Sequence, residues 1–266
     1  MQMPANAFKA ALSGSAPLLG VWAGFANAYA AEIVAGIGYD WMLIDGEHAP
    51  NTLPSILNQL QAVYPYPTSP IVRTVNDDPE LIKQVLDLGA QTLMVPQVES
   101  AEQARALVRA MRYAPAGIRG VGGGLTRATR WDGVPDYLAT AHQQLCLIVQ
   151  VESRRGVENA REIAEVEGVD AVFIGPADLS TSLGHAGNPG HPEVQEQIRA
   201  TVQATLGAGK ACGILAPAEE DARRYLSWGC QFIAVGIDIS LLRQAALTNL
   251  ATYRAPAQAA PQSRTY

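Results

Sequence analysis

The chain reads as a parallel (β/α)8 barrel in a single domain, on three observations. Eight short apolar runs of β type recur along it, segments of helical spacing fall between them, and several of those segments close on glycine. At 266 residues and 48% hydrophobic, it has the length at which such a barrel is one domain. The runner-up is a doubly wound open sheet. That fold more often carries a Gly-rich dinucleotide turn after its first strand, and none stands there.

In chain order, strands are expected at Leu18–Val21, Met42–Asp45, Ile71–Val75, Thr92–Pro96, Leu145–Val151, Ala171–Gly175, Ala211–Leu215 and Phe232–Val235. Helices are expected over Pro79–Leu88, Ala101–Tyr113, Pro192–Ala208, Ala218–Trp228 and, last, near Leu241–Tyr253. Gly38, Gly89, Gly168, Gly209 and Gly229 serve as helix stops. The spacing breaks once, between strands four and five, where Val98 to Gln144 holds a helix and then a Gly- and Arg-rich stretch, Gly117–Arg130. Insertions of that length in a compact domain are usually functional or mobile. The barrel domain spans 1–253, and 254–266, rich in Ala, Pro and Gln, reads as a flexible tail.

A net charge of −6 and a pI near 5.2 argue against nucleic-acid or anionic-membrane partners, which need clustered Lys and Arg. Cys146, Cys212 and Cys230 are far apart among apolar neighbours, which fits reduced, buried thiols in the cytoplasm and no zinc-thiolate site. No leader pattern or bilayer-length apolar run stands out, so a soluble, unexported protein is expected.

In such a barrel the chemistry sits at the C-terminal ends of the strands, and polar residues concentrate there. Side-chain alternation turns Gln150 and Glu152 to one side and Val149 and Val151 to the other. A carboxylate aimed into an apolar interior needs a partner, and a divalent cation shared by Glu152 and Asp178 is one economical answer. A pair of ordinary loop-end acids is the other. His48 beside Pro50 fits a surface loop, but Asp45, three residues earlier, could fix one ring nitrogen and leave the other free as a base. Arg73, inside an apolar strand, fits an inward guanidinium, with an ion pair to Asp87 or Glu99 as the bland alternative. Asp238 fits an N-cap of the last helix, and Trp22 either core or pocket wall. The loop Arg119–Gly124 is neither a Walker nor a dinucleotide motif; with Arg112, Arg127 and Arg130 around it, anion approach and solvated flexibility both stand.

The three lysines, Lys9, Lys83 and Lys210, precede the barrel, lie on a helix and begin strand seven, so Schiff-base chemistry is not expected. A hard cation that keeps several waters could instead be chelated by a 2-oxo acid and activate its carbonyl.

The strings Leu-Ile-Asp45-Gly-Glu-His48-Ala-Pro-Asn, Val-Arg73, Gln150-Val-Glu152-Ser and Phe-Ile-Gly175-Pro-Ala-Asp178-Leu-Ser resemble the HpcH/HpaI aldolase family, the class II pyruvate aldolases. So do Arg-Gly-Val-Gly around Val121, Arg-Ala-Thr-Arg-Trp131 and Ala-Val-Gly236-Ile-Asp, and the match runs in order from about Leu18 to Leu247. The resemblance implies reversible retro-aldol cleavage of 4-hydroxy-2-oxo acids, such as 4-hydroxy-2-oxoheptanedioate, to pyruvate and an aldehyde. Hydroxypyruvate stands as a further donor, and aromatic-compound catabolism as a setting. It implies Mg2+, Mn2+ or Co2+ on Glu152 and Asp178, with no organic cofactor, and Gln150 and Arg73 around the 2-oxo acid. His48, oriented by Asp45, would act through a water as base, joined by Asp87 across a subunit boundary. Gly175, Pro176 and Ala177 would present backbone to the substrate carboxylate, and Leu215 would tune aldehyde preference. It further implies a homohexamer, a trimer of dimers, with the last helix on a neighbour. Gly123-Gly124 departs from the hydroxyl residue that relatives often place there. A sugar-acid aldolase of the 2-dehydro-3-deoxyglucarate type and a citryl- or malyl-CoA lyase are the competing enzymatic readings, and a silent 2-oxo-acid binder is the non-enzymatic one.

Overall fold

Strands β1 (Leu18–Ala23), β2 (Trp41–Asp45), β3 (Ser69–Arg73), β4 (Thr92–Val95), β5 (Cys146–Val151), β6 (Ala171–Ile174), β7 (Ala211–Leu215) and β8 (Phe232–Ile237) pair in parallel in chain order and close into a barrel. The computed structural model describes residues 1–254. The expected tail therefore lies outside the described residues except for Arg254, which ends the last helix, Asp238–Arg254.

Period-two alternation divides each strand between two apolar layers. Inside the barrel sit Trp41 and Leu43 of β2, Ile71 of β3, Met94 of β4, Cys146 and Ile148 of β5, Phe173 of β6 and Phe232 of β8. Phe8, from the short helix Ala7–Ala11, plugs the N-terminal end, edge-on to Phe232 at 5.4 Å and to Trp41 at 6.2 Å. The opposite faces, among them Ile44, Val72, Leu147, Val149 and Val151, meet the surrounding helices. The inward series then turn polar at their C-terminal ends. Trp41, Leu43 is followed by Asp45, Ile71 by Arg73, and Cys146, Ile148 by Gln150 and Glu152.

The helices begin where capping chemistry allows. Asp78, Ser100 and Ser153 accept from amides of the first turns they precede, and Pro79 and Pro192 stand where a missing N–H costs nothing. The long β4–β5 connection holds a helix at Ala101–Met111, a 3-10 turn at Gly123–Leu125 and a helix at Tyr137–Gln144. The last helix starts three residues before the expected Leu241. Asp238 is its first residue and not an N-cap: its carboxylate accepts from the amides of Gly24 and Phe25 at 2.9 and 3.2 Å as well as from Ile239. It thereby ties the end of β8 to the end of β1. Every residue from Ile239 to Arg254 is exposed.

Candidate active site

Asp45 and Arg73 lie opposite one another in the β2–β3 register, which delivers the guanidinium to the carboxylate. Arg73 Nε and Nη2 donate to Asp45 at 2.9 and 2.7 Å, and Trp22 Nε1 donates to the same carboxylate at 3.1 Å. The indole also lies under the guanidinium, 4.9 Å from its ring centroid, so Trp22 is at once core, pocket wall and clamp. Burial alone would raise the Asp45 carboxyl. The Arg73 guanidinium outweighs that and holds it below its usual range. Arg73 pairs with neither Asp87 nor Glu99. Its second carboxylate is Glu47, with Oε2 2.8 Å from Nη1, a residue to which sequence reasoning gave no role.

The expected contact between Asp45 and the His48 ring is absent. Because the chain turns at Gly46-Glu47, Asp45 accepts instead from the backbone amides of Glu47 and His48, at 2.9 and 3.3 Å. The imidazole is 68% exposed and, among the described residues, has one carboxylate within 4 Å, Glu47 at 3.9 Å. Asp87 also stands away from this group: it ends the helix Pro79–Asp87 and accepts from Arg119 at 2.7 Å.

Glu152 projects just past β5 and is buried. Its Oε1 accepts from the Gln97 amide at 3.0 Å, and Oε2 accepts from Gln150 Nε2. Gln97 is held at φ +55°, a left-handed conformation that aims its N–H at the carboxylate, a partnership no sequence motif announces. Gly175 fits over Glu152 so closely that a Cβ would stand 2.3 Å from Oε2. Beyond it the helix Pro176–Ser182 begins. The amides of Ala177 and Asp178 precede its first capping bond, Leu179 N–H to Gly175 O.

A cavity of about 350 Å3 opens at these strand ends. It is lined by Trp22, Asp45, His48, Arg73, Gln150 and Gly175 to Asp178, with Phe173, Leu215, Ile237 and Ile239 as apolar wall. None of the three lysines lines it. Lys9 and Lys210 donate to the carbonyls of Leu145 and Val169 at the other end of the barrel, and Lys83 pairs with Glu80.

Burial pushes the Glu152 carboxyl up to about 7, against the Gln97 amide, and the negative charges of Asp178 and Glu47 push the same way. Glu47 is likewise raised by burial despite Arg73. Asp45 and Glu47 share Arg73, so with Glu152 and the exposed Asp178 four carboxylates stand against one guanidinium, and among the described residues Gln150 Oε1 is buried without a partner. An all-oxygen, charge-rich donor set of this kind fits a hard divalent cation. Among the described residues the one trio of His, Cys or acidic ligand atoms lying within 4.8 Å of one another, His185, His191 and Glu193, sits elsewhere. It spans the link that follows the helix Pro176–Ser182 and the first turn of Pro192–Gly207, outside the cavity lining. There His185 meets Glu193 at 2.7 Å, the Glu193 amide donates to His191, and the two rings stack 3.5 Å apart.

A closed parallel barrel that gathers carboxylates, a guanidinium and an exposed imidazole at its strand ends, with no lysine among them, defines an enzyme for anionic, oxygen-rich substrates that works without a Schiff base. A family model described as HpcH/HpaI aldolase/citrate lyase matches residues 18–245, and the chain belongs to that family. It is a carbon–carbon lyase of the class II aldolase kind. It is 74% identical over 269 residues to the hydroxypyruvate/pyruvate aldolase of Delftia acidovorans, covering the whole of both chains. It is 56% identical over 241 residues to the 4-hydroxy-2-oxo-heptane-1,7-dioate aldolase of Klebsiella pneumoniae, 91% of each chain. A solved HpcH/HpaI aldolase/citrate lyase family protein from Burkholderia cenocepacia J2315 superposes with a TM-score of 0.91 at 42% identity, over 94% of this chain and all of that one.

Proposed function

We propose that this aldolase takes pyruvate or hydroxypyruvate as its 2-oxo-acid donor, joins it reversibly to an aldehyde, and in reverse cleaves 4-hydroxy-2-oxo acids such as 4-hydroxy-2-oxoheptanedioate. The observation that carries this reading is the gathering of four carboxylates, Asp45, Glu47, Glu152 and Asp178, near the single guanidinium of Arg73. The names of the relatives favour a hydroxypyruvate or pyruvate donor over a sugar acid. A CoA lyase finds less support, since among the described residues Arg73 is the only Lys or Arg lining the cavity.

Glu152 and Asp178 would hold Mg2+, Mn2+ or Co2+. Such an ion supplies a Lewis acid for the 2-oxo group of the donor. Arg73, fixed by Asp45, Glu47 and Trp22, would place a charge that costs no reorganisation beside the enolate oxygen. The Ala177 and Asp178 amides, with Gly175 and Pro176 shaping the approach, would receive the substrate carboxylate. Gln150, which lines the same cavity, would help to position the donor. In cleavage His48, through a water, would take the proton of the C4 hydroxyl. The C3–C4 bond breaks, its electron pair passes to the enolate, and protonation at C3 releases pyruvate. Leu215, Ile237 and Ile239 would form the wall against the departing aldehyde.

Among the described residues the His48 ring lacks an orienting carboxylate closer than 3.9 Å, and Asp87 of a second copy would supply it. The last helix supports such an assembly: Leu241, Leu242, Leu247, Leu250 and Tyr253 are all exposed, and β1 leaves Leu19 41% exposed. That much apolar surface on one helix fits a contact between copies, in a hexamer built as a trimer of dimers. Aromatic-compound catabolism stays a proposed setting, as the family resemblance implies. The three free, buried thiols fit the reducing cytoplasm, and no described helix is long and apolar enough to cross a membrane.

The test is exchange of the pyruvate methyl protons for deuterons, followed by NMR, in chelated protein and again after Mg2+ or Mn2+ is restored. Metal-dependent exchange is expected. Exchange absent in both states would overturn the assignment of donor and mechanism together.

A further inference from the structure

At the opposite end of the barrel, where β3 and β4 begin, a second cavity of about 200 Å3 is lined by Asn6, Tyr64, Tyr66, Tyr137, Arg127 and Arg130 among others. The two arginines belong to the Gly- and Arg-rich insertion, which the proposed reaction leaves without a role at these positions. They are brought together over one ring: the guanidinium carbons lie 6.0 and 5.3 Å from the Tyr64 centroid. Neither forms an ion pair among the described residues. Arg127 donates to the Leu88 carbonyl at 2.9 Å and Arg130 to the Arg127 carbonyl at 3.2 Å. A guanidinium carries five N–H donors, so most of the donors here are unspent.

Two like charges against the same ring, both partly buried, repel each other and lose hydration. Burial, and then the charge of Arg130, hold the Arg127 guanidinium below the usual arginine range. The backbone beneath is strained as well: Arg130, Trp131 and Asp132 stand in succession at φ +54°, +55° and +63°. In a chain of net charge −6, such an arrangement asks for a local counter-charge. A phosphate, close to doubly charged at neutral pH and with several acceptor oxygens, balances both guanidiniums, whereas a single carboxylate leaves one unbalanced.

We propose that Arg127 and Arg130 form a second anion site at the N-terminal end of the barrel, which binds a phosphate group, either free or carried on a small molecule. Its residues are separate from the mouth containing Arg73, which stands at the far end of β3 from Ser69 and Pro70 of the cavity wall.

The experiment is calorimetric titration of the full-length, Mg2+-loaded protein at low salt with inorganic phosphate, glycerol 3-phosphate and acetate. The comparison is among wild type, Arg73→Gln and the Arg127→Gln/Arg130→Gln double variant. Saturable phosphate binding that survives Arg73→Gln and weakens by about tenfold or more in the double variant is expected, with acetate much weaker. Tighter glycerol 3-phosphate would mark a phosphorylated metabolite as the ligand, and tighter inorganic phosphate the free ion. Arg130→Gln alone, which gives up one hydrogen bond, replaces the double variant if that one fails to fold. Absence of saturable phosphate binding below about 10 mM would overturn the proposal. So would binding lost in Arg73→Gln but kept in the double variant.

Discussion

Replacing Asp45 with asparagine keeps the shape of the side chain and removes the charge that anchors Arg73. The carboxylate accepts five hydrogen bonds: two from Arg73, one from Trp22 and one each from the amides of Glu47 and His48. An amide nitrogen placed at Oδ2 would face the donors Arg73 Nη2 and Trp22 Nε1, and at Oδ1 it would face Arg73 Nε and two backbone N–H groups. Either way donors oppose donors. Breaking a buried pair by removing one partner costs about 3–5 kcal/mol. Glu47, still 2.8 Å from Nη1, retains part of the pairing, which favours the lower figure. At roughly 2–4 °C per kcal/mol for a chain of this size, about 3 kcal/mol lowers the melting temperature by roughly 6–12 °C. The loss depends on pH with a definite sign. The Asp45 carboxyl is held below its ordinary 3.8, so the wild-type advantage is present above pH about 4 and fades as the pH falls through the folded-state value. Thermal unfolding of the metal-free proteins from pH 8 to 3 measures this, with methyl-proton exchange of pyruvate as the functional readout. A released guanidinium is expected to slow exchange by about 100-fold. A melting temperature within about 2 °C of wild type, together with normal exchange, would refute the reasoning and assign the positioning of Arg73 to Glu47 alone.

Three further outcomes follow from the same geometry. Gly175→Ala puts a methyl group 2.3 Å from Glu152 Oε2, so Mn2+ affinity, followed by electron paramagnetic resonance, should weaken by about tenfold or more with the far-ultraviolet spectrum unchanged. In wild type, Mg2+ at about 100 times its Kd should add roughly 2.7 kcal/mol of stability, and Glu152→Gln should abolish that thermal shift; a shift that persists would place the ion elsewhere. Leu242→Glu combined with Leu250→Glu, both on exposed positions of the last helix, should lower the sedimenting mass while the barrel melts cooperatively, and an unchanged mass would remove this helix from the interface.

The strands and the inward direction of the site residues were readable because both follow from one periodicity. Cys146 and Ile148 face the interior, so Gln150 and Glu152 two and four residues on must face it too, and the same rule carries Trp41 and Leu43 to Asp45. The rule stops where the strand does. Beyond Asp45 the backbone turns, and the hydrogen bonds of that turn, not sequence spacing, decided that the carboxylate meets the His48 amide rather than its ring. The role of Glu47 is hidden for the same reason, since its contact with Arg73 is made between the end of β2 and β3. The Gln97 amide was illegible because a backbone donor in a left-handed conformation leaves no mark in residue type. Asp238 departs from the N-cap its neighbours suggest: the residues after it look like a helix start, but its main partners are the amides of Gly24 and Phe25 just past β1.

That Asp238 carboxylate grips an amide 214 positions earlier, and β1 takes one of its two flanking strands from β8. During synthesis the first strand therefore waits with an open edge until β8 has left the ribosome. At about 5–20 residues per second the interval is roughly 10–45 s. Throughout it, Leu18 to Trp22 offer unpaired backbone to any other nascent chain nearby. The weak point of this protein in a crowded cell is thus a matter of timing rather than of final stability, and it lies at the seam where the two ends of the sequence meet.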